Sequence, residues 1–268
     1  MIVTNTEQVI AVRIPMLQAQ RERLESQLFG DDTWDDLERY VDWATSVHEQ
    51  PVDLEPAKHL IFWGETDGVG GMAQIIELRT RYPGSRLLIS GGVYGREETV
   101  ADYPALRMLE ELRSAQLRQG FTEEQIESGV VIDSIARHTG HQRMFLSALL
   151  DSEFGFSTLS VVIPWYHMPR FLASVGRGMK DKNVRPVVVP QPFGSAETHH
   201  ERKAPKDGLA EQTFTYEELL CLPLTPSRGA DEVKAFDCGE LDKFIGYQQP
   251  GDLQALRFRE AIEFFGIA

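Results

Sequence analysis

Leu159-Ser160-Val161-Val162-Ile163-Pro164-Trp165-Tyr166-His167-Met168-Pro169-Arg170 is the stretch that decides the fold. Leu159 to Ile163 is an apolar, β-branched run bounded by proline, the pattern of a buried strand. Pro169 suits the first turn of a following helix, where its missing N–H would have no partner anyway. The segment therefore predicts a strand, a short loop and a helix, with His167 and Arg170 at the strand's carboxyl end. In open α/β sheets, ligands bind just beyond those ends.

The same rhythm extends upstream and downstream. His59 to Trp63, Arg86 to Ser90, Gly129 to Asp133 and Arg185 to Val189 read as further short strands. Between them lie helical stretches from Gly68 to Tyr82, from Glu97 to Gln119 with an interruption at Pro104, and from Thr139 to about Ser152. A helix after Pro169 runs to Lys180, and Thr122 and Gln125 form a capping box for a short helical turn. Strands alternating with longer helices imply parallel β-α-β units with right-handed crossovers. Uniformly apolar strands fit a sheet covered on both faces. The expected fold is an α/β, Rossmann-like, doubly wound and mainly parallel sheet of about five strands.

Outside that unit the pattern changes. Residues 1–55 read as a helical lead-in packed on the core, with Leu17, Leu24 and Leu28 as one apolar stripe ending at Gly30. Thr33 is placed to cap a second helix, with Asp35 and Asp36 in its first turn and Trp34, Leu37, Val41 and Ala44 on one face. Residues 56–193 form the sheet domain. Residues 194–268 read as an exposed loop holding His199 and His200, then a helix through Leu219 and Leu220 opened by Thr215 and Glu218, then a last helix from Leu253 to Phe264 ending at Gly266.

The chain has 268 residues, 42% hydrophobic and 25% charged, an ordinary globular composition. A formal net charge of −14 argues against a general nucleic-acid binder, which needs basic patches. Cys221 and Cys238 have no CxxC spacing and read as reduced thiols. No signal-peptide pattern and no apolar run of membrane-spanning length occur, so the expectation is a cytoplasmic protein without a membrane or nucleic-acid partner.

Four loops carry the chemistry. Gly64-Glu65-Thr66-Asp67-Gly68-Val69-Gly70-Gly71 follows the first strand. Its glycines would let backbone approach a ligand, although the spacing fits neither a dinucleotide fingerprint nor a P-loop. Ser90-Gly91-Gly92 follows the second strand, where amides at a tight turn make a small anion cradle, with Arg96, Glu97 and Glu98 close behind. The third loop, Asp133 to Gln142, concentrates a carboxylate, Ser134, Arg137, His138, Thr139 and His141. His138, His141 and His167 could together supply three imidazoles to zinc or iron. The fourth loop is the opening segment. A Gly-x-Ser-x-Gly elbow is absent from the sequence, which disfavours that hydrolase type.

Leu87-Leu88-Ile89-Ser90-Gly91-Gly92 and Tyr166-His167-Met168-Pro169-Arg170 together resemble the YdcF-like/SanA-like family, over about residues 58–193. The layout is closest to the cytoplasmic YdcF-like branch. The resemblance implies a Rossmann-like fold, a site at the strand ends and a tendency to bind S-adenosylmethionine. It carries over Gly64, Ser90, Gly91, Gly92, Thr139, His167 and Arg170, with Glu97 or Glu98 as the acidic residue after the glycine pair. Where the family shows Asn-Thr-x-Glu-Asn, this chain has His138-Thr139-Gly140-His141-Gln142, an imidazole in place of a carboxylate.

The leading expectation is a protein that binds a nucleotide-like or other anionic small molecule. His167 and Glu98 are its candidate catalytic residues. Gly64, Glu65, Ser90, Gly91, Gly92, Ser134, Thr139, His141 and Arg170 are its candidate ligand contacts. The alternatives are a metal-dependent hydrolase or transferase built on the His cluster, and a non-catalytic metabolite sensor.

Overall fold

A computed structural model describes residues 22, 24–64, 70–91, 104–136, 138–152, 155–165, 167–193, 240–248 and 255–268. The apolar runs become five strands: β1 (His59–Gly64), β2 (Arg86–Ser90), β3 (Val130–Asp133), β4 (Thr158–Val162) and β5 (Val187–Pro190). All pair in parallel, in the order β3-β2-β1-β4-β5. Gly64 lies beside Ser90, Ser90 beside Asp133, and Trp63 beside Val162, so the strand ends form one rim.

The helices are α1 (Trp34–Thr45), α2 (Met72–Arg81), α3 (Pro104–Arg118), α4 (Glu123–Glu127), α5 (Thr139–Leu150), α6 (Met168–Asp181), α7 (Glu240–Tyr247) and α8 (Phe258–Phe265). Successive side chains of a strand point to opposite faces. In β1, Ile61 and Trp63 enter one core with Ile75 and Leu78 of α2 and Met108 and Leu112 of α3. Leu60 and Phe62 enter the other, with Leu146 of α5, Phe171 of α6 and residues of α1, α7 and α8. The first two crossovers thus cover one face and the next two the other. The reversal between β1 and β4 opens the crevice at which doubly wound sheets bind ligands.

Local signals set several boundaries. Thr33 and Asp36 form a capping box on α1, and Thr122 and Gln125 one on α4. α2 starts at Met72 and not at Gly68, because Gly71 has φ +79° and breaks the helical path. A Cβ on Gly71 would also lie 2.7 Å from both Phe193 Cδ1 and Val162 Cγ1. β4 and β5 are shifted by one or two residues from the expected limits, and Ile163 already belongs to the turn. The described part of the long helix expected from Glu97 begins at Pro104.

The last helix departs furthest from expectation, starting at Phe258 and not at Leu253. Its free N–H groups are satisfied from outside: the Asp32 carboxylate accepts from Phe258 N at 3.0 Å and Arg259 N at 3.2 Å. Arg259 in turn reaches Asp31 at 2.6 Å and Asp36 at 2.8 Å. This clamp fixes α8 beside α1, and both pack on α6. α6 can be enclosed so tightly because a Cβ on Gly176 would lie 2.7 Å from Phe265 Cζ, and one on Gly178 2.6 Å from Ser147 Oγ.

The helix around Leu17, the 194–239 stretch with His199, His200, Cys221 and Cys238, and the capping box at Thr215 lie outside the described residues. Among the described residues no helix is long and apolar enough to cross a membrane.

Candidate functional site at the strand ends

The rim is first tied together by a carboxylate. Asp133, at the end of β3, accepts Ser90 Oγ–H on Oδ2 at 2.8 Å. Its Oδ1 accepts the amides of Ile135 at 3.1 Å and Ala136 at 3.0 Å, folding the loop that leads to α5. In the expected Ser90-Gly91-Gly92 anion cradle, the first two residues have partners within the fold. Ser90 is fully buried and its hydroxyl is turned toward Asp133. Gly91 N–H is donated to the Asp133 carbonyl, and Gly91 O accepts from Ala105 N at the start of α3. Both groups of Gly91 are thus bonded to neighbouring elements of the fold.

Gly64 likewise has a packing reason, since a Cβ there would lie 2.7 Å from Phe62 Cε1. Gly70 places its backbone against the Phe193 ring, and its carbonyl accepts Trp63 Nε1–H at 2.8 Å. This part of the glycine-rich loop closes a core. Glu65, Gly92 and Glu98 lie outside the described residues, as do Arg137 and Tyr166. Ser134 is half-buried beside Asp133.

Three expected residues do converge. Thr139 opens α5, and its Oγ1 lies 2.9 Å from His167 Nε2 and accepts Arg170 Nη1–H at 2.9 Å. Thr139 is 1% exposed while His167 and Arg170 are half-buried, so the hydroxyl sits beneath two groups that reach outward. His167 immediately precedes α6 and Arg170 lies in its first turn. The site is therefore a junction of two helix N-termini. Neither has a side-chain cap or an acidic residue in its first turn. Aligned peptide dipoles make such ends favourable to negative charge, although at α6 the Met168 N–H already donates to Trp165 O and Pro169 has none to offer.

His138 and His141 flank this junction, with ring centroids 3.8 Å apart. Partial desolvation holds the His138 imidazole below its ordinary value, and the neighbouring His141 and Arg170 charges add to the depression. The three-imidazole metal set is not assembled: His138 and His141 face each other, whereas His167 Nε2 is engaged with Thr139. Among the described residues no group of three His, Cys, Asp or Glu side chains is placed to hold a metal ion.

Part of the rim escaped the sequence reading. Asp133 was visible as a strand-end carboxylate, but its partners across the sheet were not. Tyr247 of α7 lies over Arg170, with the guanidinium carbon 5.4 Å from the ring centroid. The helix that carries Tyr247 was itself not anticipated.

A further polar group, His59 at the start of β1, is fully buried. Ser160 Oγ donates to Gln50 Oε1 at 2.9 Å, which leaves its lone pairs to accept His59 Nε2–H at 2.8 Å. His59 Nδ1 then accepts Ser85 Oγ–H at 2.8 Å. Desolvation lowers this imidazole to about 4, so it is neutral at pH 7. It lies at the opposite end of β1 from the rim and serves the core.

Comparison with known proteins finds no matching family model and no matching curated protein.

Proposed function

We propose that this chain binds an anionic, nucleotide-like small molecule in the crevice between the ends of β1 and β4, as a cytoplasmic protein of the YdcF-like kind. The observation that carries this reading is the Thr139 hydroxyl shared by His167 and Arg170 at the meeting point of two uncapped helix N-termini. In a chain of net charge −14, a guanidinium and two positive helix ends gathered at one place favour a negative ligand, and the imidazoles beside them offer hydrogen bonds. Arg170 binds the anionic group, since a guanidinium matches carboxylate and phosphate geometry. His167 orients the ligand or moves a proton at Nε2, since an imidazole suits proton transfer near neutral pH. S-Adenosylmethionine, with a carboxylate at one end and an adenosine at the other, is a candidate by family resemblance.

The test is thermal unfolding with S-adenosylmethionine, nucleotides, nucleotide sugars and divalent metals, each with and without chelator. A ligand at 100 times its dissociation constant adds about 2.7 kcal/mol, which raises the midpoint by several degrees. The expected result is a shift with an anionic adenosine-type ligand that chelator does not alter. Arg170→Ala should then weaken binding by roughly 1.5–3 kcal/mol, the scale of a charged hydrogen bond. An Arg170→Ala protein with wild-type affinity would refute the assignment, and a shift seen only with metal would replace it with metal-dependent chemistry.

A further inference from the structure

We propose that Tyr247, brought to the rim by the C-terminal helix α7, is a positioning residue for Arg170 and hence for the anion site. This rests on the functional reading above, and it extends the site beyond the sheet domain. α7 is anchored by its apolar residues. Phe244 and Ile245 are both 1% exposed. The Phe244 ring lies 5.7 Å from Tyr40 and 4.8 Å, edge to face, from Phe258. Past the helix end, Gln248 Nε2–H is donated to the Leu256 carbonyl at 2.9 Å, tying the end of α7 to the residues just before α8.

Residues three apart on a helix share a face. With Phe244 seated in the core, Tyr247 follows one turn later on the side facing α6, over the first turn that carries Arg170. The guanidinium is thus held in two directions. One N–H donates to Thr139 Oγ1 at 2.9 Å, and the guanidinium carbon lies over the Tyr247 ring, 5.4 Å from its centroid. A cation over an aromatic face is attracted by the ring quadrupole. A long, flexible arginine held in advance loses less rotamer freedom when an oxyanion arrives. The ring supplies this effect and the hydroxyl does not, so phenylalanine should serve as well as tyrosine. Tyr247 is half-buried, and its removal leaves the Phe244–Ile245 anchor in place.

The experiment titrates wild type, Tyr247→Phe, Tyr247→Leu, Tyr247→Met and Arg170→Ala with inorganic phosphate, adenosine monophosphate and S-adenosylmethionine by calorimetry. Thermal midpoints and the Arg170 Nε–Hε resonance are followed in parallel. The Phe variant should bind within about twofold of wild type, and the Leu and Met variants about three- to thirtyfold more weakly. Midpoints should stay within about 2 °C of wild type, because the anchor is untouched. The Arg170 resonance should lose its ring-current shift in the Leu and Met variants and keep it in the Phe variant. If Leu and Met bind as wild type while Arg170→Ala does not, the role of Tyr247 is overturned and the anion site stands. If Arg170→Ala binds as wild type, or wild type binds none of the three probes, the anion site falls and Tyr247 loses its role with it.

Discussion

Acidification should destabilise this fold through His59 while most of its carboxylates are still ionised. The imidazole is buried between Ser85 and Ser160 and neutral, with its pKa lowered by desolvation to about 4. In the unfolded chain it returns to about 6.5. The unfolded state therefore binds more protons between those values, so stability is full above about pH 6.5 and is lost as pH falls toward 4. One pKa unit corresponds to about 1.4 kcal/mol. The loss attributable to His59 is then about 2 kcal/mol between pH 7 and pH 5, and about 3 kcal/mol by pH 4. Urea unfolding of wild type and His59→Gln at pH 7, 6, 5 and 4 isolates this contribution, because every other titrating group is common to both. The stability gap between them should shrink by those amounts. A gap constant to within about 0.5 kcal/mol across the series would refute the reasoning.

Two further substitutions probe the frame around the site. Asp133→Ala strands the Ser90 hydroxyl and the Ile135 and Ala136 amides at once, and should lower stability in urea by about 2–4 kcal/mol; Asp133→Asn, which can still accept, should lose less. Asp32→Ala removes the cap on α8 and should cost about 1–2 kcal/mol. Burial raises the Asp32 pKa, so its ionised form is disfavoured in the fold and its contribution declines as pH rises above the ordinary carboxylate value. Asp32→Asn, which keeps an acceptor without the charge, should therefore stay within about 0.5 kcal/mol of wild type at pH 7.

The sheet was legible because each strand is a short run of apolar residues whose limits are marked by Gly, Pro or Asp a few positions away. The capping boxes at Thr33 and Thr122 were legible for the same reason, since cap and partner are three residues apart. Thr139, His167 and Arg170 were picked out by the strand-end rule and a family resemblance together, and the structure brings all three together. The partners of Ser90 and Gly91, Asp133 and Ala105, were not legible because they lie on other elements. At Gly64 the packing reason is local, the Phe62 ring two residues earlier on the same face of β1. The start of α8 was misplaced because its capping residue is 226 positions away. Tyr247 was missed because its placement depends on Phe244 packing among Tyr40 and Phe258.

The clamp between Asp31, Asp32 and Asp36 and the α8 segment has a kinetic meaning. Its partners are 223–228 residues apart, whereas Ser90 and Asp133 are separated by 43. Closing the longer loop from an open chain costs about 1.5 kcal/mol more in chain entropy. Contacts of such separation form only after the sheet has brought their surroundings together. The α1–α8 clamp should be among the last contacts made in folding and among the first released in partial opening. It also backs α6, the helix that holds His167 and Arg170 in place. A brief undocking of α8 would loosen the rim from behind, so the site can be disturbed by an event that touches none of its residues.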